Sequence, residues 1–180
     1  MTEPYDDLYR AIGRVVYEWA WLEKDIAGLV FDFCALQSPA FYEDSGVGKV
    51  SIALNANLDL RANIIMVKTM AHQTSKTEIF PRLEKVLNNV GNEMRNERNR
   101  YVHDAWFVAG GRAHRMKAGS RILRQPASGE TIVEHGGITH FVSLQNVHDF
   151  ADKIHETRMV IMAFSDEAEN LFRLKYPEEE

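Results

Sequence analysis

Four long stretches of the chain carry apolar residues at every third or fourth position, the spacing that places them on one face of an α-helix. These stretches cover about residues 5–36, 51–72, 77–104 and 143–175. In the first stretch the spacing alternates between four and three, which is typical of helices packed nearly parallel or antiparallel in a bundle. Its seam consists of Leu8, Ile12, Val15, Trp19, Leu22, Ile26, Leu29 and Phe33.

The pattern changes between about residues 105 and 140, where short β-prone runs are separated by glycine-containing pairs. Such runs predict a small antiparallel hairpin or meander. The runs are Trp106–Val108, Ala113–Met116, Arg121–Leu123 and Thr131–Val133. The whole pattern predicts a mainly α fold, an up-and-down bundle of four or five helices with a β insertion before the last long helix. A length of 180 residues suits a single helical domain, 1–180.

Composition narrows the class of protein. The single cysteine, Cys34, excludes an intramolecular disulfide framework. No apolar run approaches the length of a membrane-spanning helix, and the first residues lack the basic and apolar regions of a signal peptide. We therefore expect a soluble cytoplasmic protein with no membrane partner.

The net charge of −5 is unevenly distributed. Residues 95–124 contain eight basic and two acidic residues, a local charge of +6 that leaves −11 for the rest of the chain. Such a basic patch on an acidic body indicates local capture of a phosphate backbone, although a solvated basic hairpin is the simpler alternative. The basic residues are Arg95, Arg98, Arg100, Arg112, Arg115, Lys117, Arg121 and Arg124.

The most suggestive chemistry lies at the end of the third predicted helix. Arg95, Asn99 and His103 fall in one row at i, i+4 and i+8, and Arg98 lies beside that row. A histidine can give or take a proton near neutral pH, and arginines are suited to holding a phosphate. Basic residues also collect at helix C-termini because they complement the helix dipole, so this arrangement has a structural explanation too.

The segment Arg98-Asn99-Arg100-Tyr101-Val102-His103 resembles the signature of HEPN domains, an arginine followed by a polar residue and, after four intervening positions, a histidine. The resemblance implies a metal-independent endoribonuclease without a cofactor, in which the RNA 2′-hydroxyl attacks the adjacent phosphate and leaves a 2′,3′-cyclic phosphate. It implies that His103 acts as general acid or base and that Arg98 holds the phosphate. Asn99 would orient the imidazole or contact the phosphate.

The resemblance also implies a homodimer that joins two motifs, and a toxin or defence component with an antitoxin or another protein partner of unknown identity. Further RNA contacts are expected from Arg95, Arg100, Arg112 and Arg115. Many HEPN domains keep the helical bundle without cutting RNA. The alternative is therefore a non-catalytic bundle that binds RNA, a nucleotide or a protein partner.

A second alternative is a metal-dependent bundle enzyme. His148, Asp152 and His155 share one face of the last predicted helix, and His72 and His103 are available as further ligands. The sequence contains neither a Glu-x-x-His nor an HExxH pattern, which argues against this alternative, so we predict no metal site. The roles of two acidic residues stay open, Glu23 beside Leu22 and Glu97 within the apolar stripe of the third helix.

Overall fold

The computed structural model describes residues 4–38, 58–74, 79–109, 112–117, 120–124, 131–135 and 138–177. These residues form five α-helices, and a π-helical segment, Val90–Met94, joins two of them into one helical run. In the π-helical segment the Arg95 N–H bonds to the carbonyl of Val90, five residues earlier. The helices are α1 (Pro4–Gln37), α2 (Leu60–Thr74), α3 (Phe80–Asn89), α4 (Arg95–His103) and α5 (Leu144–Lys175).

Five short strands lie between α4 and α5, as the change of pattern predicted. They are β1 (Ala105–Ala109), β2 (Arg112–Lys117), β3 (Ser120–Arg124), β4 (Thr131–His135) and β5 (Ile138–Phe141). β1, β2 and β5 form an antiparallel sheet in that order, and β3 pairs with β4 as an antiparallel hairpin. The prediction of a mainly α fold with a β insertion is confirmed, and β5 is a strand that the pattern did not reveal.

Side-chain caps set two helix starts. At α5 the Ser143 Oγ accepts a hydrogen bond from the Asn146 N–H, and the Asn146 Oδ1 accepts one from the Ser143 N–H. This reciprocal arrangement satisfies two free N–H groups at the start of α5. At α2 the Asp59 Oδ1 accepts a hydrogen bond from the Ala62 N–H. The predicted start near Ser51 lies outside the described residues.

The chain divides into two compact units. The first comprises Met1–Val16 and Asn96–Ala151, and the second comprises Tyr17–Arg95 and Asp152–Glu180. A single domain over 1–180 stays a prediction. The buried apolar residues of the first unit are Leu8, Ala11, Val15, Tyr101, Val142, Val147, Phe150 and Ala151.

In the second unit, four helical runs bury rows of apolar side chains at helical spacing. The largest fully buried ones include Leu22, Ile26, Leu29, Phe33, Leu83, Leu87, Met94, Ile154 and Ile161. On α2 only one of two adjacent apolar rows is buried. Ile64, Val67 and Ala71 are buried, whereas Ile65 is 55% exposed.

Polar contacts give the helix directions in the second unit. Contacts between α1 and α5 pair Glu18 with Arg158, Asp32 with Ser165 and Leu36 with Lys175. Residue numbers rise together in these pairs, so the two helices are parallel. Contacts of the third helical run with α5 pair Arg82 with Glu167 and Met94 with Thr157. Here the numbers run in opposite order, so this run is antiparallel to α5.

A largely buried guanidinium joins α1 to α5. Arg158 donates from Nη1 to the Glu18 Oε2 at 2.8 Å and from Nε to the Asp25 Oδ2 at 2.9 Å. The side chains of all three residues are less than one fifth exposed, at 14%, 11% and 17% respectively. The Arg158 guanidinium also lies 5.5 Å from the centre of the Trp21 ring. The two carboxylates therefore share Arg158 as a cationic partner.

Replacing Arg158 with methionine should destabilise the protein strongly. The Arg158→Met change keeps an apolar stem but leaves Asp25 without its cation and Glu18 with only the His155 imidazole. Removing one partner of a buried ion pair costs about 3–5 kcal/mol. The free energy of unfolding from denaturant titration measures this. The matched control is Arg173→Ala, which removes an exposed pair with Glu169 and should cost less than about 1 kcal/mol. Equal losses in the two variants would contradict the assigned role of Arg158.

Acid should lower the free energy of unfolding because Glu18 becomes protonated. Burial disfavours its charged form, but hydrogen bonds from Arg158 and His155 outweigh burial, so the pKa of Glu18 lies below its ordinary value of 4.5. The unfolded chain therefore takes up this proton first as the pH falls. The stabilisation is complete above the ordinary value and is lost as the pH falls through the folded-state pKa.

Denaturant titrations at a series of pH values test this linkage. The unfolding free energy of the wild-type protein should fall more steeply on acidification than that of Glu18→Gln, which has no proton to take up at this position. Parallel pH profiles for the two proteins would show that Glu18 is not responsible.

Candidate functional site

The C-terminal end of α4 brings together three of the predicted catalytic residues. The Arg98 Nη1 donates a hydrogen bond to the Asn99 Oδ1 at 3.1 Å and lies 3.4 Å from the His103 Nε2. His103 is exposed, whereas Arg98 and Asn99 are half-buried. The long Arg98 side chain thus reaches across the last turn of the helix to the imidazole, although helical spacing alone places it one row aside.

The contact between Arg98 and His103 is a hydrogen bond in only one form of the imidazole. A guanidinium has only N–H donors, so the contact is a hydrogen bond only when His103 Nε2 carries a lone pair. The neutral tautomer with its proton on Nδ1 satisfies this condition. In that form His103 is able to accept a proton at Nε2.

The packing of Tyr101 fixes the C-terminal end of α4. Its ring, 5% exposed, stacks on Trp106 at 6.1 Å and on Phe150 at 5.1 Å between ring centres. The Trp106 Nε1 donates a hydrogen bond to the Tyr101 carbonyl at 2.9 Å, which satisfies one of the free carbonyls at the helix end. Burial, followed by the charge of Glu97, raises the pKa of the Tyr101 phenol. The phenol is therefore a neutral packing element.

Arg115 and Asp104 extend this support into the sheet. The Arg115 Nε lies 3.4 Å from the Asp104 Oδ2, both side chains are mostly buried, and the guanidinium lies 5.5 Å from the centre of the Tyr101 ring. Strand register accounts for the approach, since Arg115 in β2 pairs with Trp106 in β1. Arg115 therefore has a structural ion pair where the sequence predicted an RNA contact.

The other predicted RNA-binding residues are placed differently. Arg100 is exposed on α4, in the same unit as His103. Arg95 is exposed but belongs to the second unit, where it lines a groove between α2 and the run formed by α3 and the π-helical segment. The backbone of Arg112 pairs with Ala109 in the sheet, and its side chain lies outside the described part of the chain.

Two acidic residues whose roles the sequence left open have defined surroundings. The Glu23 Oε1 accepts a hydrogen bond from the Trp19 Nε1 at 2.7 Å, so Glu23 satisfies the indole of a buried tryptophan. Glu97 is half-buried, next to Arg98 in the chain. Sequence reasoning missed the supporting roles of Asp104 and Asn146. Their only signal was position, one directly after His103 and the other three residues after Ser143.

The histidine face of the last helix has a different use. The His155 Nδ1 lies 3.3 Å from the Glu18 Oε2, within the ion network of the second unit. Within the ranges that the structure describes, no group of three or more His, Cys, Asp or Glu side chains is arranged to hold a metal ion. In the same ranges, no helix has the length and apolar character needed to cross a membrane.

Comparisons with known proteins add no family. No family model matches the chain, and no significant match was found among curated proteins or solved structures.

The Tyr101 ring should matter far more than its hydroxyl. Tyr101→Ala removes a buried ring stacked on two aromatic neighbours and should cost about 3–5 kcal/mol of unfolding free energy. Tyr101→Phe keeps the ring and loses only a long contact, 3.5 Å from the hydroxyl to the Asn146 carbonyl. It should therefore cost less than about 1 kcal/mol in denaturant titration. Similar losses in both variants would show that the hydroxyl holds the helix end instead.

Proposed function

We propose that this protein is a metal-independent endoribonuclease of the HEPN type. The single observation that supports this most is the cluster at the end of α4, in which the Arg98 Nη1 lies 3.1 Å from the Asn99 Oδ1 and 3.4 Å from the His103 Nε2. An exposed imidazole beside a guanidinium combines a proton acceptor with a phosphate ligand. These are the two groups that RNA transesterification needs.

In the proposed reaction the RNA 2′-oxygen forms a bond to the adjacent phosphorus, and the bond from phosphorus to the 5′-oxygen breaks. The products are a 2′,3′-cyclic phosphate and a free 5′-hydroxyl. One His103 imidazole accepts the proton of the 2′-hydroxyl at Nε2, and a second, protonated His103 donates a proton to the leaving 5′-oxygen. Arg98 stabilises the negative charge that develops on the phosphate oxygens.

Asn99 and Arg100 have supporting roles in this proposal. The Asn99 carboxamide accepts the hydrogen bond of the Arg98 Nη1 and thereby orients the guanidinium. Arg100 is exposed on the same helix, and its side chain has no recorded partner among the described residues. It is therefore available for a neighbouring RNA phosphate. Arg115 is not assigned an RNA contact here because its guanidinium is paired with Asp104.

We further propose that the active form is a homodimer, as the HEPN resemblance implies. One chain supplies one copy of His103, and a second copy lets one imidazole act as base while the other acts as acid. Exposed apolar side chains of the kind that an interface needs occur on both long helices. They include Tyr9 and Tyr17 on α1 and Met159 and Met162 on α5. A cytoplasmic toxin or defence nuclease, held in check by a partner protein, is the proposed biological setting.

Purified protein should cleave single-stranded RNA in the presence of EDTA. His103→Ala should reduce the rate about 10²- to 10⁴-fold by removing the proton-transfer group. Arg98→Ala should reduce it about 10²- to 10³-fold by removing charge stabilisation. The products should carry 2′,3′-cyclic phosphate ends, and substrates with a 2′-deoxy group at the cleavage site should resist.

Arg173→Ala is the matched control, an exposed arginine in the other unit that should keep full activity. Thermal unfolding of each variant checks that the fold is intact, and a fall in specific activity on dilution checks the homodimer. Activity that disappears with chelator would favour a metal-dependent enzyme. RNA binding without cleavage in the wild-type protein would favour the non-catalytic bundle.

A further inference from the structure

A groove in the second unit has the features of a small-molecule site. It lies between α2 and the run formed by α3 and the π-helical segment, with a volume of about 420 Å³. This falls within the range of about 300–1,000 Å³ that is usual for ligand pockets. Its lining residues are Leu60, Arg61, Ile64, Ile65, Lys68, Leu87, Asn88, Gly91, Asn92 and Arg95.

The floor of the groove is apolar and closely packed. Ile64 and Leu87 are buried at 8% and 0% exposure. Gly91 lies close to α2, since a Cβ atom built there would be 3.3 Å from the Ile64 Cδ1. The missing side chain at Gly91 keeps the groove open above Ile64. The π-helical segment that contains Gly91 is an irregularity often found at functional sites.

The charges at the two ends of the groove differ. Lys68 is neutralised, with its Nζ 2.9 Å from the Glu84 Oε1 and 3.1 Å from the Asn88 Oδ1. Lys68 therefore lies opposite Asn88, and Ile64 lies opposite Gly91. One further turn along these antiparallel helices puts Arg61 opposite Arg95.

Arg61 and Arg95 therefore share the other end of the groove. Both are exposed, and neither side chain has a recorded partner among the described residues. None of the residues that line the groove is acidic. Two guanidinium groups of like charge at one end of the groove favour the binding of an anion there.

We propose that this groove binds a phosphate monoester with an apolar, ring-sized body. The phosphate lies between Arg61 and Arg95, and the apolar body rests on the exposed side chain of Ile65 beside Ile64. A dianionic phosphate matches two guanidinium groups better than a monoanionic carboxylate does, and arginine donates to phosphate oxygens in pairs. The proposal is independent of ribonuclease activity, because every residue it uses lies in the second unit and none is needed for proton transfer.

The probe is 1-naphthyl phosphate, titrated into the full-length protein by isothermal calorimetry. It should bind more tightly than each of three reference compounds. Inorganic phosphate lacks the apolar body, 1-naphthol lacks the charge, and 1-naphthoate carries only one charge. Arg61→Gln and Arg95→Gln should each weaken its binding about tenfold or more, the cost of losing a charged hydrogen bond. Lys68→Gln is the matched control, and it should change binding no more than about twofold because Lys68 is already paired with Glu84.

Thermal unfolding of the three variants establishes that the fold is retained, which is expected because both arginines are exposed. The proposal is overturned if 1-naphthyl phosphate does not bind, or if it binds equally well to Arg61→Gln and Arg95→Gln. It is also overturned if 1-naphthol binds as tightly as 1-naphthyl phosphate, because the groove would then be an apolar cavity only. Equally tight binding of inorganic phosphate would mean a surface anion site only and would overturn it as well. Tighter binding of 1-naphthoate would replace the phosphate with a carboxylate and would likewise reject the proposal.

Discussion

The packing of the Tyr101 ring is the constraint on which the candidate site depends. A helix end is the least ordered part of a helix, because its last carbonyls have no partners within the helix. Here the ring of Tyr101 is buried between Trp106 and Phe150, and the Trp106 indole donates to the Tyr101 carbonyl. The last turn of α4 is therefore tied to β1 and α5, and His103 projects from a fixed base.

The second unit uses charge for a similar purpose. Burying Arg158 with Glu18 and Asp25 costs desolvation energy, so this network is poor evidence for extra stability by itself. The network instead fixes the alignment of α5 along α1. The two carboxylates lie two turns apart on α1, and only one alignment of α5 lets Arg158 reach both. The Lys175 ammonium adds a second fixed point by donating to the Leu36 carbonyl near the end of α1. An apolar seam alone would tolerate a shift of one turn far better.

Helical periodicity was enough to locate the long helices and the β insertion, since burying an apolar face requires a regular spacing. It failed where several rows are apolar. α2 offers Ile64 and Ile65 on adjacent rows, and only its neighbours decide which is buried. The π-helical segment was also hidden, because Val90 and Met94 have a spacing that an ordinary α-helix would equally allow.

In the candidate site, too, local spacing predicted some contacts, while others depend on elements distant in sequence. Local spacing was sufficient to group Arg98, Asn99 and His103, because all three lie within two turns of one helix. The partner of Arg115 could not be predicted, since its approach to Asp104 depends on the pairing of β1 with β2. Strand register is set by contacts distant in sequence, and a basic residue in a strand gives no sign of whether its charge is free.

The contact between Arg98 and His103 has a consequence for the proposed reaction. The lone pair on the His103 Nε2 can accept one hydrogen, either from the Arg98 Nη1 or from an RNA 2′-hydroxyl. Without RNA, the guanidinium occupies it. A phosphate is a stronger acceptor for a guanidinium than a neutral imidazole is, because the phosphate carries a full negative charge that attracts the cation directly. Binding the scissile phosphate would therefore draw Arg98 away and leave Nε2 free at the moment when the 2′-hydroxyl needs a base. In the proposed reaction one side chain, Arg98, then links substrate binding to the availability of the base.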